Sequence, residues 1–272
     1  MTLTPRQVRD LLAEHGLSPS RALGQNFVAD PNTVRRIARL AEVGPGDRVV
    51  EVGPGLGSLT LALAETGASV TAVELDRHLL PALRSVVEPE GVRVVHGDAM
   101  SLDWDAVLGP SLEWSLVANL PYNIATPLVL DLLEQVPAIA RMLVMVQREV
   151  GERLAAGPGS KAYGIPSVKV AYRASAEVVG RVPATVFIPP PRVESVLVRL
   201  RRLPVPPVAA DPGALFRLVE AGFGQRRKML RRSLAGLVDP AAFEHAGVRP
   251  EARAEELSLA DWDRLARADV GR

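Results

Sequence analysis

One stretch of this chain combines side chains whose types and spacing suit chemistry. Asn119-Leu120-Pro121-Tyr122 sets an amide, a proline and an aromatic ring directly after the apolar run Ser115-Leu116-Val117-Ala118. An aspartate in place of Asn119 would suggest a general base. An amide takes no proton in that way, but its carbonyl oxygen accepts a hydrogen bond from an –NH₂ group. Proline contributes no N–H, so the local backbone is rich in carbonyls. Tyr122 offers a flat face on which a base can stack. Together these groups suit an exocyclic amine on a nucleobase. Such an amine is a poor nucleophile because its lone pair is delocalised into the ring. Two acceptors, the Asn119 side chain and the Leu120 backbone carbonyl, would draw its hydrogens out of plane and localise that lone pair. The plain alternative is a structural turn of the Asn-Pro type.

A second stretch would seat a nucleotide-type cofactor. Arg48-Val49-Val50-Glu51-Val52 runs into Gly53-Pro54-Gly55-Leu56-Gly57, and Ser58 to Ala64 continues as a helix. Strand, glycine loop and helix bring backbone N–H groups and a helix amino terminus to a ligand. Glu74 ends the next apolar strand, 21 residues after Gly53, where such folds place a carboxylate on ribose hydroxyls. Asp98 repeats the logic one strand later and could accept from an adenine amino group, or simply cap a turn. The spacing Gly-x-Gly-x-Gly, with Ser58 at the final glycine position of the dinucleotide fingerprint, disfavours NAD.

The elements that must position these groups follow from the pattern of apolar runs. Strands are expected at Arg48–Val52, Ser69–Val73, Val92–Val95, Ser115–Ala118 and Met142–Val146, with further strands over Tyr172–Val182 and Ser195–Leu200. Helices fall between them, so a mostly parallel α/β sheet is expected. Thr4 and Asp30 are expected to cap helices with proline at the first position. Thr126-Pro127 has the same form, and predicts a helix start after the Asn119 stretch. Val205-Pro206-Pro207 predicts a boundary between a domain at 1–204 and a helical domain at 205–272. A basic helix is expected over Arg226–Ala235.

Composition narrows the classes. The chain has 272 residues, 47% of them hydrophobic, which suits one large domain or a core domain with a small one. It has no cysteine, which removes disulfides, zinc-thiolate sites and thiol nucleophiles. No apolar run reaches the ~18 residues of a membrane span, and the polar start is unlike a signal peptide. A soluble, cytoplasmic protein is expected. Net charge is +1, yet Arg199 to Arg232 holds nine basic residues against Asp211 and Glu220, a local +7. Arginine suits bidentate phosphate contacts. A GC-rich genome would also favour arginine.

Gly53 to Gly57 with Glu74, Asp98 and Asn119 to Tyr122 resembles a class I S-adenosylmethionine-dependent methyltransferase acting on adenine N6. Further stretches resemble the KsgA/RsmA family of ribosomal RNA adenine dimethyltransferases. They are Leu23-Gly24-Gln25-Asn26-Phe27, Asn119 to Ile124, Lys161-Ala162-Tyr163-Gly164, Phe187-Ile188-Pro189-Pro190-Pro191-Arg192-Val193-Glu194-Ser195, and Phe223-Gly224-Gln225-Arg226-Arg227-Lys228. They span nearly the whole chain in the family order. The resemblance implies a Rossmann-like seven-stranded, mostly parallel sheet with a small all-α carboxy-terminal domain. It implies transfer of four methyl groups, two to each of two adjacent adenosines in a hairpin near the 3′ end of 16S ribosomal RNA, within the 30S subunit or its precursor. It implies S-adenosylmethionine as methyl donor; no metal and a monomeric chain are expected. Asn26, Val28, Gly53, Gly55, Glu74, Asp98 and Asn119 would contact the cofactor. Asn119, Leu120, Tyr122 and Phe187 would hold the target base, with Tyr122 and Phe187 on its two faces. Arg226, Arg227 and Lys228 would contact RNA.

Three other readings stay open on the sequence. The Erm antibiotic-resistance family, which dimethylates an adenine of large-subunit RNA, shares the amino-terminal loop and a similar catalytic stretch. The Asn-Ile after Tyr122, the triple proline and the Arg226-Arg227-Lys228 segment favour the small-subunit enzyme. A non-catalytic ribosome-assembly factor would use the same fold as a binding module. An NAD oxidoreductase is the third.

Overall fold

A computed structural model describes residues 2–20, 22–110 and 113–269. In chain order the strands are β1 (Phe27–Val28), β2 (Arg48–Val52), β3 (Ser69–Glu74), β4 (Arg93–His96), β5 (Trp114–Asn119), β6 (Ile139–Gln147), β7 (Ala174–Val182), β8 (Phe187–Ile188) and β9 (Ser195–Arg202). Seven of them form one sheet in the order β4-β3-β2-β5-β6-β9-β7, and β1 pairs separately with β8. β4, β3, β2, β5 and β6 run parallel. β9 runs antiparallel to β6. The expected mostly parallel seven-stranded sheet is therefore present.

Strand order makes the site. After β2 the chain steps outward through β3 and β4, then returns to β5 on the other side of β2. The crevice at such a reversal, outside the carboxyl ends of the strands, is where open α/β sheets bind ligands. The carboxyl ends of β2, β3, β4 and β5 deliver Gly53, Glu74, Gly97-Asp98 and Asn119 to that edge. β9, being reversed, brings its first residue to the same edge: Ser195 pairs with Gln147, the last residue of β6.

The chain divides into two compact units, Met1–Gly151 with Glu177–Arg202, and Glu152–Ala176 with Leu203–Arg272. The second division lies close to the break expected at 204/205. The segment 152–176, assigned by sequence to the first domain, instead belongs with the helical unit. The cause is burial: Tyr163 and Val168 join the core around Leu215, Leu230, Phe243 and Trp262. Tyr163 also donates to the Leu257 carbonyl at 2.9 Å.

Local signals explain most helix ends. Thr4 and Gln7 form a reciprocal capping box, and Asp30 accepts from the Thr33 N–H at 2.8 Å with Pro31 in the first turn. Three expectations need correction. The helix after β5 spans Ala125–Gln135 with no side-chain cap, so Thr126 lies inside it. The turn closed by the Ile124 N–H on the Pro121 carbonyl leads into it directly. Tyr172 belongs to a helix, Ile165–Arg173, and only Ala174–Val182 is strand. Gly164 and Ser167 start that helix, the Gly164 N–H donating to Ser167 Oγ at 3.1 Å. The basic segment is not one helix. Residues 225–228 form a turn in which the Lys228 N–H meets the Gln225 carbonyl at 2.8 Å, and the helix is confined to Leu230–Ser233.

Candidate active site

A cavity opens at the carboxyl edge of the sheet, within the first compact unit. Its lining includes Asn26, Val28, Gly53, Gly55, Glu74, Asp98, Asn119, Leu120 and Tyr122. Nine of the ten residues expected to hold cofactor or base thus converge from five separate parts of the chain. Phe187 does not join them. It is 2% exposed, packs in the core of this unit and is absent from the cavity wall. Through the pairing of β1 with β8 it stands opposite Val28 of the cavity wall. Arg226, Arg227 and Lys228 lie in the second unit.

The glycine loop is left-handed at three positions: φ is +71° at Gly53, +60° at Gly55 and +90° at Gly57. Side chains are strained there. A Cβ on Gly55 would stand 2.7 Å from the Phe27 ring, and one on Gly57 2.5 Å from Val87. So these two glycines admit protein neighbours: the amino-terminal segment over the loop, and the helix Leu80–Val87 beneath it. The loop thus packs helix against strand as well as lining the cavity.

Glu74 is held rigidly. Its two carboxylate oxygens accept from the Gly55 N–H at 3.1 Å and the Asp76 N–H at 2.8 Å. Burial raises its pKa, against the pull of those two backbone bonds. Asp98 caps its own turn, accepting from the Met100 N–H at 2.9 Å, and also faces the cavity. The turn-cap reading of Asp98 is thus present, on the wall of the cavity.

Sequence reasoning missed Glu51, although it stands inside an apolar strand. In a parallel sheet covered on both faces such a residue is buried. It is 1% exposed and lines the cavity, and its Oε2 has no hydrogen-bond partner. Burial pushes its carboxyl up to about 8, opposed by the nearby Thr60 hydroxyl and reinforced by Glu74. Ser58 Oγ is likewise buried and unpartnered at the cavity. Unpaired buried oxygens beside a cavity suit a polar ligand that brings donors.

The amino-terminal segment covers the site through long-range bonds. Asn119 Nδ2 donates to the Asn26 carbonyl at 3.1 Å. Gln25 Nε2 donates to Asp76 at 2.9 Å, while Gln25 Oε1 accepts from the Ser20 N–H at 2.8 Å. β1 then pairs with β8. Tyr122 is half-buried, and its phenol lies 2.9 Å from Ser195 Oγ. Burial raises the Tyr122 pKa, with the Ser195 bond pulling the other way. Tyr122 thus stays a neutral phenol, unsuited to act as a base. Among the described residues no cluster of His, Cys, Asp or Glu has metal-binding geometry, and no helix is long and apolar enough to cross a membrane.

Comparison with known proteins gives one answer. Residues 17–268 match the family model described as ribosomal RNA adenine dimethylase. The chain is 50% identical over 275 residues to ribosomal RNA small subunit methyltransferase A of Thermobifida fusca, covering 97% of this chain and 95% of that protein. It is 49% identical over 280 residues to the protein of the same name from Streptomyces coelicolor, covering 98% and 97%. Among solved structures it resembles the 23S rRNA methyltransferase ErmE, at TM-score 0.71 and 28% identity, covering 90% of this chain and 100% of the other. A dimethyladenosine transferase from Plasmodium falciparum shares the fold at TM-score 0.74 and 23% identity, covering 88% and 95%. With its geometry and its relatives in agreement, the chain belongs to the ribosomal RNA adenine dimethylase family.

Proposed function

We propose that the protein transfers methyl groups from S-adenosylmethionine to N6 of two adjacent adenosines, two to each, in the 3′-terminal hairpin of 16S ribosomal RNA. The observation that carries this reading is the bond from Asn119 Nδ2 to the Asn26 carbonyl. It uses one of the amide's two N–H groups and fixes the amide's orientation, with Oδ1 placed to accept from a ligand's donor. Asn119 lines the cavity, and an acceptor there matches an –NH₂ group.

The bound cofactor supplies an electrophilic methyl group. Glu74, already oriented by two backbone donors, accepts from ribose hydroxyls. Glu51, buried and unpartnered, accepts from the ammonium of the methionine end, and Asp98 from the adenine amine. Asn119 Oδ1 and the Leu120 carbonyl accept from N6–H and concentrate the lone pair on nitrogen. Tyr122 supplies the flat face. Methyl transfer of this kind depends on in-line positioning, which a walled cavity provides. The adenosine reaches it unpaired or extruded, at a cost of a few kcal/mol. Arg227 and Lys228 of the second unit contact RNA phosphates.

Relatives named for the small subunit stand at about 50% identity, against 28% for the 23S enzyme, which favours 16S RNA over the Erm reading. Methyl incorporation into unmethylated 30S and 50S particles tests the choice. Label should enter 30S; label entering 50S alone overturns the assignment.

A further inference from the structure

We infer that Ser195 is a positioning residue for methyl transfer, acting by holding the Tyr122 ring through its hydroxyl. The inference rests on the reading of Tyr122 as the face for the target base.

The two residues are 73 apart in sequence and belong to different kinds of structure. Tyr122 lies in the turn between β5 and the following helix and is half-buried. Ser195 is the first residue of β9, is fully buried at 0% exposure, and pairs with Gln147 of β6. Only the antiparallel direction of β9 brings its amino end to the edge where β5 delivers Asn119.

A tyrosine ring has two rotatable bonds. Turning the ring about its Cβ–Cγ bond leaves the phenol oxygen in place, so the bond to Ser195 Oγ at 2.9 Å fixes the ring's position and long axis, and the in-plane preference of a phenol's hydrogen bonds then favours one ring plane. The anchor is strong because Ser195 cannot move without disturbing the sheet. The backbone near Tyr122 is tied on the other side, where the Leu120 N–H donates to the Met145 carbonyl of β6 at 3.1 Å. Asn119 and the tyrosine ring are thereby both referred to β6, and a base stacked on the ring meets the amide at a set angle. Positioning of this kind governs the rate of an in-line transfer more than it governs affinity. Loss of the bond leaves an unpartnered hydroxyl on whichever side remains.

The test is a double-mutant cycle on Ser195→Ala and Tyr122→Phe, read as single-turnover methyl transfer to unmethylated 30S particles. Binding of S-adenosylmethionine and thermal unfolding are measured alongside. Each single variant should slow transfer about tenfold with cofactor affinity unchanged. The double variant should be no slower than the slower single, because both remove one bond. Additive losses, or a Ser195→Ala rate equal to wild type, overturn the inference. If Ser195→Ala unfolds, Tyr122→Phe removes the same bond from the half-exposed side and decides alone: a wild-type rate overturns the inference. Tyr122→Ala separates the two claims. If it transfers at the wild-type rate, the reading of Tyr122 as the base's face fails; if it is slow while Tyr122→Phe is fast, only the role of Ser195 fails.

Discussion

Val28 and Phe187 are direct partners in a two-stranded antiparallel ribbon. Val28 lines the cavity, and Phe187, opposite it on the same face of the ribbon, is buried in the core cluster that Val28 also joins. The ribbon therefore joins the segment that covers the cofactor seat to the Pro-rich stretch that follows β8. A change at Phe187 should act first on stability. Phe187→Ala should cost about 3–5 kcal/mol, as for other buried aromatics. Phe187→Leu should keep transfer within about threefold of wild type while lowering the unfolding midpoint. A large loss of transfer in Phe187→Leu, with cofactor affinity intact, would instead restore Phe187 as a wall of the base pocket.

Glu51 predicts a pH dependence. Its folded pKa of about 8 stands above the ordinary 4.5, so the folded, ligand-free protein holds this proton more tightly than the unfolded chain. Its contribution to stability is thus fully present below 4.5 and is lost as pH rises toward 8. Glu51→Gln should flatten that slope in thermal unfolding of the ligand-free protein. Cofactor binding, which favours the carboxylate, should release a proton near pH 7, seen as a buffer-dependent binding heat. Glu51→Gln should weaken binding on the order of tenfold or more and abolish the release. An unchanged proton count would show that Glu51 does not meet the ammonium.

The basic turn divides into two roles. Arg226 is spoken for: its guanidinium meets Glu255 at 2.6 Å and the Lys161 carbonyl at 2.8 Å. Replacing Arg226 should lower stability by up to about 1 kcal/mol and loosen the 157–164 loop. Replacing Arg227 and Lys228 together should weaken RNA binding and reduce its salt slope by roughly two. Titrations of 30S particles at several salt concentrations check both. Equal effects from all three residues would contradict the division.

Gly57 tests the glycine loop as packing. With φ at +90° and Val87 2.5 Å from where an added methyl would stand, Gly57→Ala should destabilise by about 1–3 kcal/mol or more. Gly53, whose added methyl would make only ordinary contact with Pro121 at 3.5 Å, should tolerate alanine better in packing, though its φ of +71° still penalises it. Thermal unfolding of the two variants gives the order.

The parallel sheet and its ligand edge are legible because buried strands read as apolar runs and each leads to a polar residue: Glu74, Asp98, Asn119. The glycine loop is legible through positive-φ demand. What escapes is long-range pairing. Nothing local in Ser195 or Gln25 names Tyr122 or Asp76 as a partner. Phe187 is ambiguous because an aromatic before prolines reads alike as core or ligand wall. Arg226 groups with its neighbours in sequence because charge runs do not show that Glu255 lies opposite. Glu51 carries a usable signal, a carboxylate inside an otherwise apolar strand end.

The central claim is that carbonyl acceptors, not a base, make the adenine amine reactive. Single-turnover transfer to unmethylated 30S particles by Asn119→Ala tests it most directly, with cofactor and particle binding measured on the same samples. A loss of about a hundredfold or more in transfer, with both affinities kept within a few-fold, is the predicted result. Transfer near the wild-type rate would contradict it. So would a loss matched by an equal loss of cofactor binding, since Asn119 would then act through the cofactor seat, by its own contact there or by its bond to Asn26.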